Sequence, residues 1–301
     1  MPAEGGFQYG GQAVIEGVAM RGPRQLAIAV RRPDNTVVIE EEQLNPWGER
    51  LLPLRWPLVR GFVVLLETLV LGLKALNFSA SQAAEAEGEE LGAGEIAVTL
   101  LIAFAAAIFL FVILPTSAVH WARSFLPGVL LQNLVEGALR VLVFVGYVAV
   151  IAKMPDVQRV FQYHGAEHKV IHAYEAGEPL EVMRVRPYPI LHPRCGTSFL
   201  LIVMVISIVV FSFLGEGSLA WRIGSRLSLL PLVAGISYEL LKWSGRHWEG
   251  RLGRMAAAPG LCLQRLTVRH PDDSQIEVAI LALQRVLAME KRERAGELSG
   301  V

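Results

Sequence analysis

The stretch IAVTLLIAFAAAIFLFVIL, residues 96–114, decides the class of the fold. It carries no charge, and it is close to the roughly 20 residues a helix needs to cross the hydrocarbon core of a bilayer. Three more apolar runs follow, over 134–152, 198–214 (SFLLIVMVISIVVFSFL) and 227–243 (LSLLPLVAGISYELLKW). In the first of these, Glu136 and Arg140 stand at i and i+4 and can pair on one helix face. The last contains Pro231 and Gly235 and has Glu239 near its end. The composition agrees: of 301 residues, 53% are hydrophobic and 19% charged, with a formal net charge of zero. Such a balance excludes a general attraction to nucleic acid. Two cysteines, Cys195 and Cys262, make no disulfide framework. The opening MPAEGGFQYGGQAV has neither a basic n-region nor an apolar h-region, so no cleaved signal peptide is expected.

The stretch PLVRGFVVLLETLVLGLKALNF, residues 57–78, spaces Arg60, Glu67 and Lys74 seven apart, which draws one polar stripe along a helix. A span packed inside a bundle and a helix lying in the interface both fit that stripe. Basic residues decide between them, because cytoplasmic loops collect Lys and Arg. The 153–197 loop holds Lys153, Arg159, Lys169, Arg184, Arg186 and Arg194, and the chain after 243 is also rich in arginine. With four spans both face the cytoplasm. A fifth span over 57–78 would put Arg21, Arg24, Arg31, Arg32, Arg50 and Arg55 outside, so an interfacial or re-entrant helix is expected there.

The remaining segments read as a cap. LAIAVRRPDNTVVIEEEQL, residues 26–44, is a β-hairpin about a Pro-Asp-Asn turn. Before it, YGGQAVIEGVAMRGP is dense in glycine, which suggests turns or a closely approached backbone. Residues 79–95, with Glu85, Glu87, Glu89, Glu90 and Glu95, read as a solvated acidic loop. In RHPDDSQIEVAILALQRVLAMEKR a soluble helix starts at Pro271, Asp272 and Asp273, with Ile276, Ile280, Leu283 and Leu287 on one face. That face needs an apolar partner, and the 26–44 hairpin offers one. The tail after Arg292 is expected to fray. The expected fold is mainly α: a polytopic helical membrane protein with about four transmembrane helices and a small cytoplasmic α+β cap. Its parts are a β-containing segment 1–56, an amphipathic helix and acidic loop 57–95, a bundle 96–243 and a C-terminal segment 244–301. Both termini are expected in the cytoplasm of a bacterial cell, with the lipid bilayer of the inner membrane as the first partner and a membrane-associated substrate or protein as a further one.

FQYHGAEHKVIHAYEAG, residues 161–177, carries the chemistry. Pro155 and Asp156 mark a helix start and Gly177 a helix end. At about 100° per residue His164 and His168 share the apolar stripe, where a buried histidine needs a partner. His164-Gly-Ala-Glu167-His168 is an H-x-x-E-H pattern: two imidazoles can hold one metal ion while the carboxylate acts as general base. Downstream, His192 and Cys195 in ILHPRCGTSF are spaced H-x-x-C about a tight turn at Pro193 and Gly196. Together His164, His168, His192 and Cys195 have the spacing of a tetrahedral zinc site. His172 reads as a hydrogen-bonded core residue or part of the surroundings of the metal, and Glu175 as a carboxylate that orients a ligand. Glu16 and Glu239 are weaker candidates.

GGQAVIEGVAMRGP, FQYHGAEHKVIHAYEAGEPL, HPRCGTSFLL, LPLVAGISYELLKW and PGLCLQRLTVRHPDDSQIEVAI resemble the YqhQ-like bacterial membrane proteins, from about Gly10 to about Leu287. That family is of unknown function and carries the label of predicted metal-dependent enzymes. The resemblance implies a bacterial inner-membrane protein and names no substrate. Two readings remain open. One is a metal-dependent, zinc-type hydrolase at the cytoplasmic membrane face with Glu167 as base. The other is a non-enzymatic scaffold, assembly factor or carrier with a structural zinc.

Overall fold

In the computed structural model, residues 9–50, 52–87, 92–215, 217–248 and 250–296 are described. Four strands open the chain: β1 (Gly10–Val14), β2 (Gly17–Arg21), β3 (Gln25–Arg31) and β4 (Val37–Gln43). They form one antiparallel sheet in the order β1-β2-β3-β4. The hairpin read from 26–44 is therefore its second half, with Val30 opposite Val38. The glycine-rich stretch before it is the other half, with Ala13 opposite Val18 and Gly17 opposite Val30. The β1–β2 turn passes through Glu16 at φ 49°.

Ten helices follow among the described residues, besides short single turns: α1 (Val59–Glu87), α2 (Ala93–Ile108), α3 (Leu114–Trp121), α4 (Val129–Ile151), α5 (Pro155–Glu175), α6 (Gly196–Ser212), α7 (Leu219–Ser228), α8 (Leu230–Arg246), α9 (Arg251–Thr267) and α10 (Asp273–Arg294). A π-turn, Phe109–Ile113, joins α2 to α3. Contrary to the loop expected over 79–95, α1 runs on through Glu87. Glu89 and Glu90 lie outside the described residues, as do the first eight residues and the tail from 297. Within the C-terminal segment 244–301, α9 precedes the amphipathic α10 and tolerates Pro259 inside it.

Alternation in the strands sends side chains to both faces of the sheet. Val18, Met20, Ala27 and Ala29 meet Tyr163, Ala166 and Val170 of α5 and Ile276, Ala279 and Leu283 of α10. Val14, Ala19, Leu26, Ile28 and Val30 meet Leu71, Ala75 and Phe78 of α1. The C-terminal helix thus packs on the sheet as its amphipathic pattern predicts. Arg31 to Glu277 at 2.7 Å adds a surface tie.

The continuous helical stretch Gly94–Trp121 and α4 are long and apolar enough to cross a bilayer. Leu101, Ile102, Phe104 and Phe109 stand exposed along the first, as lipid-facing side chains do. α7 and α8 qualify as a third crossing only as a pair, bent by 44°. The break falls at Leu229, just before Pro231, so the run 227–243 is not one straight helix. α6 is apolar but has only 17 residues. By length and composition two or three segments qualify, against the four expected.

Inside the bundle, Glu136 is 2% exposed. It accepts from Thr116 at 2.9 Å, Arg140 at 3.0 Å and both Nε and Nη2 of Arg226, at 2.5 and 2.7 Å. Arg140 also donates to the Phe111 carbonyl at 2.9 Å, within the π-turn. The i, i+4 pair is present, and it is one edge of a larger buried network.

Candidate metal centre

Helix α5 starts on Pro155, whose missing N–H costs nothing at a helix N-terminus, and ends before Gly177 at φ 76°. Its buried face looks at two partners: the sheet with α10, and the returning segment 177–195. The second partner is held by side chains of α5 that donate to successive main-chain carbonyls. Lys169 Nζ donates to Arg186 and Tyr188 at 2.6 and 2.5 Å, His168 Nδ1 to Ile190 at 2.5 Å, and His172 Nε2 to Leu191 at 2.9 Å. The turn 192–195 then closes, with Cys195 N–H on the His192 carbonyl at 3.3 Å. This brings Cys195 to the N-terminus of α6, where its Sγ accepts from Thr197 N–H at 3.5 Å. Unpaired N–H groups at a helix start favour negative charge.

From the other side, Thr267 at the end of α9 accepts from His164 Nδ1 at 3.0 Å. Gly165 makes that approach possible, because a Cβ there would lie 2.0 Å from the Arg269 carbonyl oxygen. With each Nδ1 occupied by a carbonyl, Nε2 of each ring carries the free lone pair. His164 Nε2 meets Cys195 Sγ at 3.1 Å. His168 is 2% exposed, and its Nε2 has no hydrogen-bond partner among the described residues. Donor atoms of His164, His168 and Cys195 all lie within 4.8 Å of one another. The two rings stand edge to face, 4.5 Å between centroids.

His192 stands differently from the expectation of a fourth ligand to the same ion. Its ring is 5.6 Å from that of His168 and 4.5 Å from that of His172. Its donor atom groups with His172 and Glu175, again within 4.8 Å. Gln264 of α9 fixes this placement by holding both ends of the His192 residue: its Oε1 accepts the N–H at 2.9 Å and its Nε2 donates to the carbonyl at 2.8 Å. Nothing at sequence level marked Gln264. Burial pushes the His192 ring down to about 4, so it is neutral near pH 7. Burial also lowers His172. For Glu175 burial acts upward, but His192 and Arg194 outweigh it and hold the carboxyl below its usual range.

Glu167 is buried, and one of its carboxyl oxygens reaches the sheet. Its Oε1 accepts the Gly11 N–H at 2.9 Å. A Cβ at Gly11 would come within 2.5 Å of the Ala19 carbonyl and 3.1 Å of Glu167 Cγ, which explains glycine in that strand. Burial raises the Glu167 carboxyl, and the nearby His164 and the Gly11 N–H only partly offset it. The weaker candidates are ion-paired elsewhere: Glu16 with Arg159, and Glu239 with Arg60 at 2.5 Å.

The chain is therefore a mainly helical protein with membrane-grade apolar helices, an N-terminal antiparallel sheet and a buried His/Cys cluster between them. It belongs to the family described as protein of unknown function DUF1385, whose profile matches residues 56–289. It is 32% identical over 295 residues to the uncharacterised protein YqhQ of Bacillus subtilis (strain 168), covering 94% of this chain and 93% of that protein. No solved structure matches it.

Proposed function

We propose that the chain is a zinc-type, metal-dependent hydrolase at the cytoplasmic face of a bacterial inner membrane. One observation carries the reading. His164, His168 and Cys195 present three donor atoms within 4.8 Å of one another, and carbonyls on the far ring nitrogens orient both imidazoles. Three protein ligands are the usual set of a catalytic zinc site, with the fourth position left for water or substrate. When bound, the ion supplies Lewis acidity and lowers the pKa of water. The chain supplies the rest. His164 and His168 hold their tautomers through Thr267 and Ile190, Cys195 brings a sulfur ligand, and Glu167, whose carboxyl burial raises, is the base of this reading. Substrates open to it are peptides, lipid headgroups and other polar groups at the membrane.

The four-span topology is part of the proposal, supported by the packing. The sheet, α5 and α10 share one core, so they lie on one side of the membrane. Between the sheet and α5 the chain must cross an even number of times, which Gly94–Trp121 and α4 satisfy. Between α5 and α10 the count is even again. α6 and the bent α7–α8 pair therefore cross together or not at all, and α6 sits at the short end of spanning length.

The second reading, a scaffold with a structural metal, is favoured by the burial of His168 and Cys195. Cobalt(II) substitution of the detergent-purified protein separates the two. A thiolate-to-cobalt charge-transfer band that shifts with azide or cyanide is the expected result, since an open position takes an exogenous anion. A band that no anion moves assigns the ion to structure. No metal uptake, or uptake unchanged in His164→Ala and His168→Ala, overturns both readings.

A further inference from the structure

We propose that His172, Glu175 and His192 form a second divalent-cation site beside the first, so that the centre is binuclear; this rests on the reading of His164, His168 and Cys195 as a metal site. The donor atoms of the second group also lie within 4.8 Å of one another. His192 is 5% exposed, and its Nε2 has no hydrogen-bond partner among the described residues, although Glu175 Oε2 is 3.7 Å away. A buried polar atom aimed at a carboxylate yet too far to bond with it is uncommon. A cation between the two would satisfy both. His172 donates through Nε2 to Leu191, so its Nδ1 lone pair is the one left to bind. The four α5 residues 164, 168, 172 and 175 recur at about one helical turn, and His192 joins the second group from the returning segment.

The two sites differ in kind. The first offers a thiolate and two imidazoles, the second a carboxylate and two imidazoles, which is harder and suits zinc, manganese or cobalt. The second also binds more weakly. Arg194 is ion-paired with Glu175 and opposes a neighbouring cation. The Arg194 backbone N–H donates to His192 Nδ1 at 3.3 Å, a bond that must be given up when the ring proton moves to that nitrogen and Nε2 takes the cation. In binuclear hydrolytic sites the paired ions stabilise the attacking and leaving oxygens together.

Cobalt(II) titration of the metal-free full chain in detergent tests this. Two equivalents per chain are expected. The first brings the thiolate charge-transfer band, and the weaker second adds visible absorption without enlarging that band. Glu175→Gln and His192→Ala should reduce uptake to one equivalent with the thiolate band intact. Cys195→Ser should abolish the band and leave the second equivalent. Arg194→Gln should tighten the second equivalent several-fold, a gain that a misfolded variant would not show. One equivalent with the thiolate band in the wild type overturns the second site and leaves the first standing. One equivalent without that band, lost in His192→Ala, overturns the first and keeps the second. No uptake overturns both.

Discussion

Each α5 histidine gives one ring nitrogen to a main-chain carbonyl, and the donors differ: Nδ1 in His164 and His168, Nε2 in His172. That difference sorts the rings into two groups. The four-residue spacing made His164 and His168 legible as one face, and the H-x-x-C turn made Cys195 legible beside them. His192, expected beside His164 and His168, groups with His172 and Glu175 because Gln264, 72 residues away in the chain, holds its backbone. Helical periodicity carries no record of such a contact. Gly165 gives a direct test at this scale. Alanine there must push the Arg269 carbonyl away from its 2.0 Å contact, a backbone shift costing about 1–3 kcal/mol as in overpacked cores. Gly165→Ala should lower thermal stability and also metal content, because Thr267 moves off His164. A variant with normal metal content would show that the Thr267 contact does not position the ring.

At the scale of elements, the sequence signals worked where local chemistry was strong. α10 begins where Pro271-Asp272-Asp273 predicts. Asp272 accepts the Gln275 N–H at 2.9 Å while Gln275 returns the bond at 3.0 Å, a capping box. Asp272→Ala should cost about 1 kcal/mol. For the Asp272 carboxyl burial acts upward, but the bonds from Ser274 and Gln275 win and lower it. A folded value below the unfolded one gives stability that is present above the unfolded pKa of about 4 and lost as pH falls through the folded value. Asp272→Asn should therefore flatten the acid limb of the melting profile, and an unchanged limb would count against the assignment. The signals failed in β1 and β2, because glycine weakens strand propensity and their pairing is set by β3 and α5. No expectation covered α9, whose sequence holds Pro259 inside the helix. In α4, Glu136→Gln would leave the buried Arg140 and Arg226 without their shared carboxylate. Removing one partner of a buried pair costs about 3–5 kcal/mol, so this variant should unfold at markedly lower temperature in detergent. Full stability would mean that neutral acceptors suffice for both guanidiniums.

At the scale of the whole molecule, one packing fact constrains the topology more tightly than hydropathy does. Hydropathy alone finds two or three candidate crossings, and an odd number would separate the sheet from α10. Their shared core forbids it, since Ile276, Ala279 and Leu283 bury against Val18, Ala27 and Ala29. Two crossings and four both fit that core, four being the number proposed. The outcome turns on α6 with the α7–α8 pair, and the discriminating position is the segment between them, around Gly215 and Ser218. If both cross, a reporter inserted there reads extracytoplasmic, as does one between α3 and α4 near Ser124. Reporters in the β3–β4 turn at Asn35 and after Arg294 read cytoplasmic. That pattern places the His/Cys cluster at the cytoplasmic mouth of the bundle, where α6 begins at Gly196. A cytoplasmic signal at 215–218 with an external one at Ser124 leaves two crossings and moves α6, α7 and α8 to the membrane surface. Opposite signals at Asn35 and after Arg294 would contradict the shared core itself, and with it the assembly of α5, the sheet and α10 that holds Glu167 and the histidines in place.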